Sequence, residues 1–282
     1  MANEAPQHRP SSGLAGVGPQ AQARRASFDS VARQYDQMRP GYPPAVFADV
    51  YAIAGLGNQS RLLEIGSGTG HATLPFARRG LSIDCIELGG QMAAVARQKL
   101  APFGRVQVSV TDFDTWKTDE SYDLIYSASA YQWLNPGTRA ERIAHLLHPS
   151  GWLAVWRNHP ARGSGASQGF FLEAQKIYAR EAPELAAKFT GLPSAEEIRP
   201  EVSEEWLASG LFHHVQVRRY AWKTDYAAGE YVRMLDTHSD HRILPDKSRA
   251  RLFDGLAQLV EEFGGKVTRE QVTLLEMAKR CS

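Results

Sequence analysis

The stretch RLLEIGSGTG, residues 61–70, constrains the fold of this chain more than any other. A short apolar run, long enough for one buried strand, gives way to Gly66, Gly68 and Gly70. Glycine has no Cβ, so such a turn adopts backbone conformations closed to other residues and brings bare amides against a ligand; a helix that follows aims its first N–H groups at the same point. Strand, glycine turn and helix together make the opening unit of a sheet with parallel strands and crossover helices. The chain keeps that rhythm. Strands are predicted at 61–65, 82–87, 106–110, 122–127 and 151–156, as short, nearly continuous apolar runs suited to burial on both faces. Helices are predicted between them at 69–79, 90–100 and 136–147, with HPSG as the turn into the fifth strand.

Acids stand at the ends of the first three strands. Glu64 precedes the glycine turn, Glu87 closes the second strand, and Asp112 follows the third. All three fall at the carboxyl edge of a parallel sheet, where open α/β folds bind their ligands. A carboxylate at Glu87 can accept both hydroxyls of a ribose, and one at Asp112 can accept from an exocyclic amino group, while Met92 or Phe113 packs on a purine face. Asp112 could instead cap the turn FDTW, Asp114 competes with it for either role, and Met92 is equally suited to a place in the core. A dinucleotide-binding enzyme uses a related loop, but its third glycine would fall at position 71, where this chain has His71. An NAD(P)-dependent oxidoreductase is therefore the secondary reading.

Residues 1–26 are rich in Pro, Gly, Gln and Ala and bury too little to offset ordering entropy, so a flexible tail is expected there. A single domain is expected over 27–282, with a cofactor-binding core at 27–160 and helical cap insertions at about 161–208 and 224–266. Before the glycine turn, SFDSVARQYDQMRPGYP predicts a short helix ended by Pro40, followed by a second over about 44–55. In the second half, 169–208 reads mostly helical, 213–222 as a strand, 226–236 and 246–263 as helices, and 270–279 as a last strand. Lysines and arginines total 32 against 31 acids, which gives no broad attraction to nucleic acid or to an anionic membrane. The two cysteines make no disulfide framework. With no apolar run of membrane-spanning length and no secretory h-region, a cytoplasmic protein is expected.

The run E-x-G-x-G-x-G, the acids after the second and third strands, and the segment YDLIYSASAYQWL resemble the class I S-adenosylmethionine-dependent methyltransferases. The segments YDQMRPGYP and AYQWL resemble the small-molecule group that includes relatives of trans-aconitate methyltransferase. The resemblance implies a Rossmann-like, doubly wound α/β fold whose seven-stranded sheet is mostly parallel, with the last strand antiparallel between the fifth and sixth. It implies S-adenosylmethionine as cofactor, with Gly66, Gly68 and Gly70 at the methionine moiety and Glu64 at its amino group. It further places Glu87 at the ribose, Asp112 at the adenine amino group, Met92 and Phe113 about the adenine, and Ser127 near the sulfonium. Tyr35 and Arg39 would close the site, although both could simply anchor the N-terminal helix.

On that reading the chain moves a methyl group to a small-molecule acceptor, as a monomer or homodimer without nucleic-acid or membrane partners. The acceptor wall is drawn from Tyr131, Gln132, Trp133 and residues 156–159. His238, His241 and Tyr131 are the candidate catalytic residues, needed only if the acceptor must lose a proton. The stretch THSDHR spaces His238 and His241 by three, but no third ligand accompanies them, and no metal is expected. Binding of S-adenosylmethionine without catalysis is a further alternative.

Overall fold

A computed structural model describes residues 29–282. The expected tail at 1–26 and the predicted helix start at Phe28 lie outside the described residues. Two short helices, α1 (Ala32–Met38) and α2 (Pro44–Ile53), precede β1 (Arg61–Ile65). The alternating half continues through α3 (Thr73–Ala77), β2 (Ser82–Glu87), α4 (Gly90–Leu100), β3 (Val106–Val110), β4 (Tyr122–Ala128), α5 (Arg139–Leu146) and β5 (Leu147–Pro160). Then come α6 (Ala166–Glu181), α7 (Pro183–Ala186), α8 (Ser203–Ala208), β6 (Phe212–Ala227), α9 (Ala228–Leu235), α10 (Ser239–Arg242), α11 (Asp246–Glu262) and β7 (Lys266–Arg280).

The seven strands form one sheet in the order β3-β2-β1-β4-β5-β7-β6. The first five pair in parallel, and β7 runs antiparallel to both β5 and β6, which is the topology expected from the sequence. Order reverses between β1 and β4, so the crevice at their carboxyl ends is a topological switch point and the natural place for a ligand. Leu62, Phe76, Trp152, Trp156 and Met277 belong to one buried cluster; Leu63, Ile65, Ile125, Ile143 and Leu153 belong to another. Within the first, Tyr126 stacks on Trp156 with centroids 5.3 Å apart and rings nearly parallel. A third cluster, which includes Phe170, Tyr231, Met234, Leu252 and Leu256, joins α6, α9 and α11 into a cap.

Several boundaries differ from the sequence reading. The helix expected over 69–79 shortens to Thr73–Ala77, because Gly68 and Gly70 hold positive φ angles of 55° and 82° and delay the first helical turn. The HPSG turn is absorbed as an irregular entry to β5, where Ser150 takes a φ of 65° and the register against β4 shifts. Helix in 169–208 is interrupted between α7 and α8, a stretch containing Gly191, Pro193 and Pro200. The last two strands are longer than expected and pair from Phe212 with Arg280 to Ala227 with Lys266, building an antiparallel ribbon that carries the cap.

Candidate active site

One cavity of about 820 Å³ opens above the switch point, between the carboxyl edge of the sheet, α1 with its flanking residues, and the cap. Its walls include Gly66 and Gly68 from the turn, Glu87, Met92, Asp112 and Phe113 from the β2 and β3 side, and Arg157, His238 and Arg269 from the β5, β7 and cap side.

The glycine turn is built for close approach. Gly66 has a φ of 73°, and a Cβ there would fall 2.4 Å from the Ala130 side chain, so this position must stay bare to let the loop after β4 close. Gly68, at φ 55°, has no atom within 4 Å of an added Cβ. Its amide donates to Glu87 Oε2 (2.7 Å), while the amide of Gly89 donates to Oε1 (2.7 Å). Glu87 is thereby pinned by both oxygens and keeps lone pairs for a ligand in the cavity. Burial raises its carboxyl above the ordinary value, although the backbone amides of Gly89 and Gly68 act the other way. Asp112 Oδ1 accepts from the Asp114 amide at 2.9 Å, an Asx turn that leaves Oδ2 for a ligand. Met92 and Phe113 are buried residues that reach the same wall, where the exposed Leu88 joins them.

Glu64 lies beneath the loop and is fully buried. Its Oε2 accepts from Thr73 Oγ1 and from the Tyr126 hydroxyl, the latter at 2.8 Å, and Oε1 has no partner among the described residues. Burial pushes this carboxyl up to about 7 against the lowering effect of those two donors, with the Glu87 charge adding to the rise. Gly70 packs toward Leu100 and Ala96 and does not line the cavity. Nor does Ser127, whose hydroxyl donates to the Ile65 carbonyl at 2.8 Å; the residue that does is Ser129, held at a φ of 60° and bonded to the Tyr42 hydroxyl.

From the N-terminal side, Tyr35 and Arg39 line the cavity, with the guanidinium over the Tyr35 ring at 5.3 Å. Arg39 donates to the Thr237 hydroxyl (2.7 Å) and carbonyl (3.1 Å), tying α1 to the cap. Asp36 binds Lys99 and faces His71 (Nε2 to Oδ1, 3.2 Å) at a geometry of ion contact rather than hydrogen bond. Burial alone would raise the Asp36 carboxyl; Lys99 first, then Thr69 and His71, more than offset it and leave it below its ordinary value. Asp29, which the sequence reading passed over, accepts from the amides of Gln91 and Met92 at the start of α4 and also lines the cavity.

The three candidate catalytic residues separate. His238 lines the cavity; its Nδ1 faces the Leu235 carbonyl at 3.3 Å, which leaves Nε2 as the acceptor. Burial, then Arg39 and Arg269, hold its imidazole well below the ordinary value, so it is neutral at neutral pH. His241 is set behind it, with Nε2 on the Tyr178 hydroxyl (2.7 Å) and its ring stacked on Phe253. Tyr131 is buried with its hydroxyl between Trp206 Nε1 (2.9 Å) and Glu205 (3.0 Å), under the Arg139 guanidinium. Of the expected acceptor wall, Gln132, Trp133, Arg157 and Asn158 reach the cavity, whereas Trp156 is core and His159 faces a small separate recess. Among the described residues no group of three or more His, Cys, Asp or Glu is gathered for a metal.

Residues 62–151, from β1 to the start of β5, match the family described as a methyltransferase domain. Over those residues the chain carries a methyltransferase domain. An uncharacterized methyltransferase of Mycobacterium tuberculosis is 28% identical over 169 residues, covering 58% of this chain and 63% of the relative. A demethylmenaquinone methyltransferase of Tropheryma whipplei is 27% identical over 192 residues (64% and 76%), and a trans-aconitate 2-methyltransferase of M. tuberculosis 26% over 118 residues (41% and 43%). Among solved structures, phosphoethanolamine N-methyltransferase 2 of Haemonchus contortus, in complex with phosphomonomethylethanolamine and S-adenosylhomocysteine, shares the fold. Its TM-score is 0.54 at 17% identity, over 94% of this chain and 61% of that one.

The residues present fit the cofactor of a class I methyltransferase. Gly68 leaves room above the turn and Glu87, at the cavity wall, is oriented by two amides, whereas Glu64 is fully buried beneath the loop and is not among the lining residues. The bound cofactor supplies an electrophilic methyl group; the chain supplies alignment and exclusion of water.

Proposed function

We propose that this methyltransferase transfers a methyl group from S-adenosylmethionine to a small-molecule acceptor and releases S-adenosylhomocysteine. Glu87 would hold the ribose, Asp112 the adenine amino group, Met92, Phe113 and Leu88 the ring faces, and Gly66 and Gly68 the methionine part. The observation that carries the reading is the continuity of the cavity, which runs from this acid-lined nucleoside end to a second end walled by β5, β7 and the cap. The second end is the place for an acceptor, and the cover by α1 and the cap excludes water from it. Tyr131 and His241 act in this reading as positioning groups, Tyr131 through the Glu205 and Trp206 network and His241 behind His238. His238, neutral and at the cavity wall, is the group that would receive a hydrogen bond from a protonated acceptor. The reading carries with it the cytoplasmic location and the monomeric or homodimeric state expected from the sequence.

No helix among the described residues is long and apolar enough to cross a membrane. Isothermal titration with S-adenosylhomocysteine, beside NADH, tests the cofactor assignment: binding of the former alone is expected, and preference for NADH would sink it. Glu87→Ala is expected to weaken S-adenosylhomocysteine by about 1.5–3 kcal/mol, the range for a hydrogen bond to a charged group. Unchanged affinity would remove Glu87 from the ribose.

A further inference from the structure

The cavity is electrically divided along the sheet. Its acids are Asp29, which lies over the first turn of α4, and Glu87, Asp112 and Asp114 at the β2 and β3 ends; its arginines are Arg39, bonded to Thr237 of the cap, and Arg157 and Arg269 on β5 and β7. Because β1 lies between β2 and β4 in the sheet order, the glycine turn separates the two.

The three arginines are not equivalent. Arg157 is matched by Glu201 at 2.8 Å. Arg39 spends Nε and one terminal nitrogen on Thr237, and Arg269 makes its contact through Nη1 to the Met234 sulfur at 3.3 Å. Among the described residues neither of these two has a carboxylate within ion-pair distance. Asp240 is the acid whose field reaches Arg39, and it is engaged by the backbone amide and Nδ1 of His241. A half-buried guanidinium that lines a cavity and ends on a thioether has donors to spare, and those donors match a planar oxyanion. Its field is felt all around: Arg269 depresses His238 and Arg39, alongside burial.

Loading the cofactor does not cancel this charge. S-adenosylmethionine brings one carboxylate, which can be met by Arg39, but also a sulfonium and an ammonium. The acceptor end therefore keeps a positive excess centred on Arg269, and a cationic acceptor would be repelled from it.

We propose that Arg269 is a specificity residue that binds an oxyanion of the acceptor, a carboxylate or phosphate monoester, so that this enzyme methylates anionic small molecules. The proposal rests on the methyltransferase reading and names the substrate class for that site. The anion is a handle; methylation can fall on it or on another atom of the same molecule.

The test is calorimetry on the protein saturated with S-adenosylhomocysteine, with succinate and phenyl phosphate as probes and succinamide and phenol as their neutral counterparts. At least one anion is expected to bind in preference to its neutral counterpart. Arg269→Met is expected to weaken it about 10-fold or more while leaving S-adenosylhomocysteine affinity within about 3-fold, and Arg269→Lys to retain part of the binding. Retained cofactor affinity also shows that the variants fold. Equal binding of the neutral probes, or no binding of either anion, would overturn the proposal. So would a loss confined to S-adenosylhomocysteine in Arg269→Met, which would assign the guanidinium to the cofactor carboxylate. Failure of wild-type protein to bind S-adenosylhomocysteine at all is a different result, and overturns the cofactor reading on which the proposal stands.

Discussion

Glu64 shows how one buried atom couples the cofactor loop to stability. Its carboxyl is raised to about 7 by burial, so the folded state holds the proton more tightly than an unfolded chain with an ordinary value of 4.5. The stability this proton confers is complete below about 4.5 and is lost as pH rises through about 7, up to about 3 kcal/mol in all. Glu64→Gln removes the titration while keeping an oxygen for Thr73 and Tyr126, at a cost that does not vary with pH. The difference in unfolding free energy between variant and wild type should therefore shift in favour of the variant between pH 5 and pH 8 in urea titrations of the unliganded protein. A difference that stays constant would show that Glu64 ionises in the fold as it does in water.

At the scale of elements, α1 is a strap across the cavity mouth. It is held on the core side by Asp36 with Lys99 and on the cap side by Arg39 with Thr237 and Gln34 with the Arg233 carbonyl. Asp36→Asn removes the charge on a half-buried pair and should reduce S-adenosylhomocysteine affinity several-fold, about 1 kcal/mol, with the fold intact by circular dichroism. Unchanged affinity would mean that the strap is fixed from the cap alone. The first three strands were legible because each is a short, largely apolar run with a glycine or an acid at or just past its end, and the range expected for each of β1, β2 and β3 is the one observed. The β6 and β7 ribbon was only partly so: residues 223–227 and 266–269 mix charged and small residues, and pairing with each other, not local pattern, makes them strand. The site divides the same way. Glu87, Asp112 and the glycines are set by their position at strand ends. Ser129 in place of Ser127 depends on a left-handed residue, Tyr131 is taken by Trp206 and Glu205 from a distant helix, and Arg269 gains meaning only from Arg39 and Met234 across the cavity.

For the molecule as a whole, the cavity is a junction. The parallel sheet, α1 with its flanking residues, and the cap each contribute wall, and a few polar contacts join α1 to its two neighbours. A ligand that touches all three bodies binds the assembled state and not the unfolded chain, so its binding energy adds to stability by mass action. S-adenosylhomocysteine at about one hundred times its dissociation constant should add about 2.7 kcal/mol. For a chain of this size that corresponds to a rise of about 5–10 °C in the melting midpoint. If the acid-lined end holds the nucleoside as proposed, the rise should survive Arg269→Met and shrink in Glu87→Ala, since only the latter removes the proposed contact to the ribose. Scanning calorimetry of the three proteins with and without ligand reads this directly. Equal rises in wild type and Glu87→Ala would place the ligand elsewhere, and a rise abolished by Arg269→Met would show the two ends of the cavity acting as one site.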